Sequence, residues 1–233
     1  MSDAVTYETS GDVAIIRLDD GKANALSPSL LAALNTALDQ AEEAELAVLL
    51  TGRPGRFCAG FDLGVMREGG PGAARAMVTS GAELALRIAR FPAPVVIAST
   101  GHALAMGAVL LMAADSRIGA EGEFKIGFNE VAIGMTTPIF LVEFARGRMP
   151  NTEFIGATVQ AKIYTPEGAV SAGFYDQTAT SEQLADRALA EAERLAKLPR
   201  RAYVGTRAIV RGAAIELIEK TLAADLATGF PDP

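Results

Sequence analysis

The sequence predicts an α/β protein with a helical C-terminal region, and three observations predict that class. Short apolar runs bounded by glycine and charged residues recur along most of the chain, as buried strands require. Segments with apolar residues at helical spacing lie between these runs. Beyond residue 180 the chain becomes rich in alanine and charge at helical spacing, and no strand pattern follows. We therefore predict an α/β core at residues 1–180 and a helical region at residues 181–233.

The first elements follow from the apolar pattern and from capping chemistry. Residues 13–18 (VAIIRL) predict a strand, and the charged and glycine residues at 19–22 predict a turn. A helix is predicted to begin next, because Ser27 can cap it and Pro28 suits the first helical position. Four leucines at helical spacing predict its buried face: Leu30, Leu31, Leu34 and Leu38.

The next part of the chain alternates strands and helices. Residues 46–51 (LAVLLT) form a nearly continuous apolar run, which is typical of a strand covered on both faces. We predict a loop at residues 52–57, a mobile glycine-rich surface segment at 66–76 and a helix at 78–90. Another strand is predicted at 94–100.

A second strand, turn and helix follow. Residues 101–107 predict a turn, 108–114 a helix and 115–120 a strand, with a further short strand at 124–126. No charged residue occurs from position 91 to 114, and a stretch of that length could cross a bilayer. Prolines at its start and polar residues in its middle instead favour a buried strand, a turn and a buried helix.

The C-terminal region has the pattern of three helices. Residues 181–198 form an alanine-rich amphipathic pattern that Ser181 is predicted to cap and Pro199 to end. Two more helices are predicted at 200–211 and 213–226.

The composition argues against several classes of function. A single cysteine, Cys58, excludes a disulfide framework and a cysteine-built metal site, and a single histidine, His102, argues against a multi-histidine metal site. The net charge of −7 and an isoelectric point near 4.9 argue against nucleic-acid binding. The N-terminal residues MSDAVTYETSGD lack the pattern of a signal peptide, so a cytoplasmic location without membrane attachment is expected.

Two segments are predicted to have the same order of structural elements. Residues 51–63 and residues 100–111 each lead from a strand end into a glycine-containing turn and then toward a helix. Backbone N–H groups at such turns have no partner within the helix. Two of these turns brought together could hold an oxyanion between two N–H donors, or both could be ordinary glycine turns.

Four segments resemble the crotonase superfamily, also called the enoyl-CoA hydratase/isomerase family, in the family's order and spacing. They are DDGKANALS at 19–27, GRFCAGFDL at 55–63, STGHALAMGAVLLMAADSRIG at 99–119 and FKIGFNEVAIGM at 124–135. The resemblance implies a crotonase-like spiral of ββα units with a C-terminal α-helical region that builds a homotrimer or a dimer of trimers. It also implies acyl-CoA thioesters as substrates and no separate cofactor or metal.

The resemblance further implies which residues form the site. The backbone N–H groups of Phe61 and Met106 would hold the thioester oxygen. The family usually has three glycines where this chain has Ala-Met-Gly at 105–107, and a backbone donor does not depend on its side chain. The residues implied in coenzyme A and substrate binding are Lys22, Ala23, Ala25, Arg56, Ala59, Gly60, Asp62, Leu63, Leu104 and Gly107. The basic residues of this set, Lys22 and Arg56, together with Arg53, suit the phosphates of coenzyme A.

The reaction depends on how many carboxylates the site holds. The family's hydratases use two glutamates, and here the first position is Val109, which cannot transfer a proton, while the second is Glu130. One carboxylate suits movement of a double bond from C3–C4 to C2–C3, because it can remove a proton at C2 and return it at C4. Asn129 and the residues at 138–141 also resemble the Δ3,Δ2-enoyl-CoA isomerase branch. We therefore predict Glu130 as the catalytic acid and base.

Two other functions remain open at this point. Glu130 could act in an enoyl-CoA hydratase together with a positioned water. The chain could also bind acyl-CoA without catalysis, which Val109 and Met106 would favour. Outside the family pattern, a lone glutamate such as Glu130 is commonly a surface or salt-bridged carboxylate.

Several other residues are predicted to be structural. His102 is expected in a packed turn, Cys58 as a small buried side chain, and Asp115 as an anchor of a helix end. Six large apolar residues could line an acyl tunnel or belong to the core: Phe61, Met66, Met106, Phe128, Met135 and Phe140.

Overall fold

Two sheets organise residues 4–229, the part of the chain that this computed structural model describes. Their strands are β1 (Val5–Ser10), β2 (Val13–Leu18), β3 (Ala47–Thr51), β4 (Gly55–Cys58), β5 (Val95–Ser99), β6 (Gly101–Leu104), β7 (Ser116–Ala120), β8 (Ile126–Gly127) and β9 (Gln177–Ala179).

Helices cover the sheets and form the C-terminal region. They are α1 (Pro28–Glu43), α2 (Leu63–Glu68), α3 (Gly70–Arg90), α4 (Met106–Ala113), α5 (Ile139–Arg146), α6 (Asn151–Thr158), α7 (Pro166–Ala172), α8 (Ser181–Ala196) and α9 (Arg200–Gly229), with a 3₁₀ helix at Val131–Ile133.

The chain winds between the two sheets as a spiral of ββα units. One sheet has the order β1-β2-β3-β5-β7-β9 and the other the order β4-β6-β8. Strands β1 and β2 pair antiparallel, and the other neighbouring strands pair parallel. A strand of the large sheet is followed by one of the small sheet and then a helix, as in β3–β4–α2 and β5–β6–α4. The predicted crotonase-like α/β fold is confirmed.

The central strands of the large sheet are buried on both faces, which explains the nearly continuous apolar sequences of β3 and β5. All five residues of β3, β5 and β7 are buried. Side chains alternate between the faces, so that Leu50 and Ile97 pack toward α1, α3 and α4 while Leu49 and Val96 pack toward α8. The second face buries Leu184 and three further residues of α8.

Helix α1 begins where capping chemistry predicts. The Ser27 side chain accepts a hydrogen bond from the N–H of Leu30, and Pro28 is the first helical residue. The four predicted core leucines of this helix are all buried.

Two segments that we predict as a loop and a turn contain strands instead. Strand β4 begins inside residues 52–57, and β6 occupies most of residues 101–107. These short strands pair with each other, and Gly55 lies opposite Gly101. A Cβ on Gly101 would overlap the Gly55 backbone, so the close approach of the strands requires glycine there.

The segment at 66–76 lies mostly at the surface, as predicted, but it forms the end of α2 and the start of α3, and its mobility stays a prediction. Pro71 lies in the first turn of α3, where a missing N–H costs nothing. Ala74 is buried, and Met77, three residues further along α3, packs in the main hydrophobic core, so packing favours the helix that begins in this glycine-rich sequence.

The C-terminal predictions need two corrections. Thr180, rather than Ser181, occupies the cap position of α8. The two helices predicted at 200–211 and 213–226 form the single helix α9, with Gly212 in its interior. Packing of α9 against α3 and α5 outweighs the helix-weakening effect of that glycine.

The uncharged stretch at 91–114 forms β5, β6 and α4. Among the residues that the structure describes, no helix is both long and apolar enough to cross a membrane. The boundary predicted at residue 180 stays a prediction.

Candidate active site

The first two motif segments lie side by side. The N–H of Leu26 donates to the carbonyl of Gly60 at 2.8 Å, and the N–H of Asp62 donates to the carbonyl of Leu26 at 3.1 Å. The N–H of Ala59 donates to the carbonyl of Ala23 at 3.2 Å. The loop after β2 therefore forms one side of the site and the turn after β4 the other.

Asn24 fixes this pair of loops, and the sequence analysis did not single it out. The residue is fully buried with a positive φ of 53°. Its Nδ2 donates to the carbonyls of Leu18, Arg56 and Phe57, each at 3.1 Å, and its Oδ1 accepts from the N–H of Asp20. A signal was available, because asparagine tolerates positive φ in turns and this one lies within DDGKANALS.

Basic side chains surround the outer end of these loops. Lys22 and Arg56 are exposed. Arg53 is partly buried, donates to the carbonyl of Lys22 at 2.9 Å, and lies 3.4 Å from the carboxylate of Asp19. Two basic side chains thus remain exposed beside the site, within reach of an anionic ligand.

The remaining residues implied in binding follow these loops. Asp62 caps α2 by accepting from the N–H groups of Gly64 and Val65, and Leu63 is 46% exposed at the start of that helix. Ala25 is half-buried on the loop after β2. The structure therefore gives Asp62 a capping role whether or not it also contacts a ligand.

The second turn presents the N-terminus of α4. Strand β6 ends at Leu104, and Ala105 follows with a φ of 49° and donates to the carbonyl of Gly127 at 3.0 Å. Met106 is the first residue of the helix. Such a positive φ is costly for alanine, so the fold holds this turn at the cost of local strain.

The two turns touch. A Cβ on Gly60 would lie 2.8 Å from the Cβ of Ala105 and 3.4 Å from the N of Met106. A Cβ on Gly107 would overlap the carbonyl oxygen of Cys58. Glycine at positions 60 and 107 therefore lets the N-terminus of α4 approach the turn after β4.

Two backbone N–H groups at this junction, those of Phe61 and Met106, have no hydrogen-bond partner among the described residues. Unpaired donors at a helix N-terminus and an adjacent turn bind a negatively charged oxygen well. The sequence analysis left open whether the two turns meet. The structure places them next to each other.

A small cavity of about 70 Å³ lies between these turns, α3 and the 3₁₀ helix. It is lined by Ala59, Phe61, Leu63, Met66, Val78, Ala105, Met106, Val109, Asn129, Glu130, Ile133, Met135, Pro138 and Phe140. Of the six residues considered for an acyl tunnel, Phe128 is absent from this lining and packs against Phe174. The cavity is thus apolar except for two adjacent side chains.

Glu130 is the single titratable residue of this lining. It is 8% exposed, and its Oε2 is buried without a hydrogen-bond partner among the described residues. Burial raises the pKa of the Glu130 carboxyl from 4.5 to about 7, and backbone N–H groups of Glu130 and Asn129 offset this in part. Such a group can both accept and return a proton near neutral pH.

Asn129 is the second polar group, and the sequence analysis treated it only as part of a motif. Its Oδ1 is also buried without a partner in the described part of the chain. An unpaired buried acceptor is costly, so this amide is available to a ligand or to the protonated form of its neighbour. Its position directly before Glu130 was the available signal.

Val109, at the position where the family resemblance implies a glutamate in hydratases, lies in the cavity wall. It is 1% exposed and lies on α4 one turn after Met106. No other proton-transfer group among the described residues lines the cavity to assist Glu130.

The other candidates have structural surroundings. The Nδ1 of His102 accepts from the N–H of Lys125 at 2.9 Å, and its ring packs edge-on against Phe124. Cys58 is fully buried, and burial raises the pKa of its thiol to about 12, so it is a poor nucleophile at neutral pH. Asp115 is paired with arginines of α9.

A family model described as enoyl-CoA hydratase/isomerase matches residues 8–228. The chain belongs to this family. Human mitochondrial enoyl-CoA delta isomerase 1 is 27% identical over 213 residues, which cover 90% of this chain and 70% of that protein. A putative enoyl-CoA hydratase of Thermus thermophilus is 32% identical over 203 residues, which cover 80% of this chain and 76% of that protein.

Solved structures of the enoyl-CoA hydratase/isomerase family share the whole fold. A family member from Pseudomonas syringae has a TM-score of 0.95 at 40% identity, covering 98% of this chain and 99% of that one. An enoyl-CoA isomerase of Mycobacterium tuberculosis has a TM-score of 0.91 at 39% identity, covering 97% and 100% of the two chains. Because the relatives carry both isomerase and hydratase names, the reaction has to be argued from the site.

The raised pKa of Glu130 predicts a stability cost that Glu130→Gln removes. The pKa in the folded state lies above the unfolded value, so this group stabilises the fold fully below pH 4.5 and loses that contribution as the pH rises through about 7. This difference between the two pKa values corresponds to a loss of about 3 kcal/mol in the free energy of unfolding. Denaturant unfolding of both proteins should show the variant gaining stability over the wild type between pH 4.5 and about 7, with a constant difference above. A stability difference between the two proteins that does not change with pH would contradict the raised pKa of Glu130.

Proposed function

We propose that this protein is a Δ3,Δ2-enoyl-CoA isomerase that converts 3-enoyl-CoA to 2-enoyl-CoA. The observation that carries the proposal is a lone buried carboxyl, Glu130, in an apolar cavity whose lining also includes Phe61 and Met106, the two residues with unpaired backbone N–H groups. This combination provides one proton carrier and one oxyanion site. A reaction that needs two proton carriers fits it less well.

The chemistry balances with these groups alone. The Glu130 carboxylate takes the proton from C2. The electrons of that C–H bond form a C1–C2 double bond, and the π electrons of the C=O bond move to the thioester oxygen. The N–H groups of Phe61 and Met106 stabilise the resulting enolate, and each such donor contributes about 3–4 kcal/mol. The C=O bond then re-forms and the C1–C2 π electrons become the C2–C3 double bond, while the electrons of the original C3–C4 double bond take up the proton that Glu130 delivers to C4.

The rest of the thioester has a matching surface. Lys22 and Arg56 are exposed beside the loops that lead to the cavity, and their charge complements the phosphates of coenzyme A. The reaction moves a proton within one molecule, so it requires no separate cofactor. The substrate is an acyl-CoA, and neither nucleic acid nor a membrane is part of the proposal.

Comparing two substrates tests the proposal against its alternatives. An isomerase conjugates 3-enoyl-CoA, which is followed by the ultraviolet absorbance of the conjugated thioester, and forms no 3-hydroxy product from 2-enoyl-CoA. Conversion of 2-enoyl-CoA to the 3-hydroxy product would assign a hydratase. If neither substrate reacts but acyl-CoA raises the Tm, the protein binds acyl-CoA without catalysis.

The pH dependence of the isomerase rate follows from Glu130. The carboxyl must be deprotonated to take the C2 proton, and its pKa is raised to about 7 by burial. We expect kcat/KM to rise about tenfold per pH unit below that pKa and to level off above it, measured from about pH 5.5 to about pH 8.5. A rate that is independent of pH across that range would contradict the assignment.

We also propose that the chain assembles as a homotrimer or a dimer of trimers. Ile209 is 84% and Val210 77% exposed on α9, beside an apolar groove of about 550 Å³ that lies away from Glu130. Large exposed apolar surfaces commonly mark contacts between proteins. Light scattering should give a mass of three or six times 24.2 kDa, and a monomer would contradict this proposal. The cytoplasmic location stays a prediction.

A further inference from the structure

The Met106 side chain is part of the wall of the active-site cavity. Its backbone N–H is one of the two unpaired donors, and its side chain is 1% exposed and lines the same cavity. A thioester oxygen held by this N–H therefore brings the acyl chain next to the Met106 thioether. Any change in the size of this side chain changes the space for the acyl chain and leaves the backbone donor in place.

Gly81 on α3 allows the side chains of Phe61 and Met106 to pack directly against that helix. Gly81 is buried, and a Cβ there would overlap the ring of Phe61 and lie 3.5 Å from the Sδ of Met106. The ring and the thioether thus both pack directly against the backbone of α3. On this side the space between α3 and α4 is filled by the two residues whose N–H groups form the oxyanion site.

Core residues form the remaining deep wall. Val78 on α3 and Val109 on α4 are each 1% exposed, and Phe140 on α5 is 3% exposed. All three line the cavity and belong to the main hydrophobic core. Because such cores are closely packed, an acyl chain cannot extend past these residues without displacing them.

The free volume limits the acyl chain. One water-sized group needs about 10–15 Å³ of cavity volume. A cavity of about 70 Å³ therefore holds on the order of five such groups. We propose that the enzyme prefers short-chain acyl-CoA substrates and that the Met106 side chain sets the length limit. This inference rests on the proposed function, because it concerns the substrate of that same site.

The test compares Met106→Ala with the wild type on a series of 3-enoyl-CoA substrates from short to long chains. The readout is the ratio of kcat/KM for a long substrate to kcat/KM for a short one. The variant makes room for about two to three methylene groups, and each one buried contributes about fourfold. We expect the ratio to rise by about 15- to 60-fold. An unchanged ratio, or a wild type that uses long and short chains equally, would overturn the inference.

Two further variants separate this effect from a general loss of packing. Met112→Ala is the matched control, because Met112 is also a 1% exposed methionine of α4 but lines the groove against α9. Its chain-length ratio should equal that of the wild type, and a rise equal to that of Met106→Ala would overturn the inference. Val109→Ile adds one methyl group to the cavity wall and should lower the ratio, so the inference stays testable if Met106→Ala does not fold.

Binding separates failure of this inference from failure of the proposed function. If no 3-enoyl-CoA reacts, the isomerase proposal fails, and saturated acyl-CoA of the same lengths then reports the size of the cavity. A rise in Tm that is larger for short chains than for long chains in the wild type, with the long-chain rise restored in Met106→Ala, supports the length limit. Equal rises for all lengths would overturn it.

Discussion

Glu130→Gln lowers the isomerase rate by about 10²- to 10⁴-fold, the contribution typical of a single positioned acid or base. The amide keeps the size and hydrogen-bonding shape of the side chain but cannot take a proton from C2. No other titratable residue among those described lines the cavity to replace it. The loss should fall on kcat, because the oxyanion donors and the apolar walls that bind the thioester remain.

A matched variant and a binding measurement make this prediction specific. Glu143 lies on α5 outside the cavity and pairs with Arg146, so Glu143→Gln should retain near-normal rates. Saturated acyl-CoA should raise the Tm of Glu130→Gln as it does for the wild type. Equal rates for Glu130→Gln and wild type would remove Glu130 from the mechanism.

Asp115→Asn destabilises the protein by about 3–5 kcal/mol, because it leaves buried arginine charge unpaired. The Asp115 carboxylate lies 2.6 Å from Nη1 of Arg207 and 3.1 Å from Nη2 of Arg211, and it accepts from the N–H of Val95. The side chains of Asp115 and Arg207 are only 6% and 7% exposed. This cluster joins α9 to the C-terminal end of α4, whose N-terminus supplies the Met106 donor.

An exposed ion pair provides the comparison. Asp39 is 61% exposed and lies 2.5 Å from Arg87, so Asp39→Asn should cost less than about 1 kcal/mol. Denaturant unfolding of both variants measures the difference. If Asp115→Asn proves no more costly than Asp39→Asn, the buried cluster does not hold α9 to the core.

Local sequence signals predict the long elements well. The strand at 13–18 and the helix after Ser27 appear as predicted, because apolar runs and capping residues act over a few positions. Strands β4 and β6 are missed, because four-residue strands are stabilised mainly by pairing with each other. The start of α3 is missed for a similar reason, since burial of Met77 in the core stabilises it.

The features of the site also divide into those that the sequence predicts and those that depend on contacts between distant segments. Glu130 and the two turns could be inferred from the family pattern, and the structure brings them to one cavity. The unpaired Oδ1 of Asn129 and the clamping role of Asn24 depend on contacts between segments far apart in sequence. The size of the cavity could not be predicted either, because it depends on how closely α3 packs against Met106.

The central claim is that one buried carboxyl, Glu130, carries a proton from C2 to C4 of the substrate. The direct measurement uses 3-enoyl-CoA labelled with deuterium at C2, converted in ordinary water and analysed by mass spectrometry and NMR. A single buried carrier predicts that part of the deuterium reappears at C4 of the 2-enoyl product. A product that carries only solvent hydrogen at C4, or that has gained a water molecule, would contradict the account.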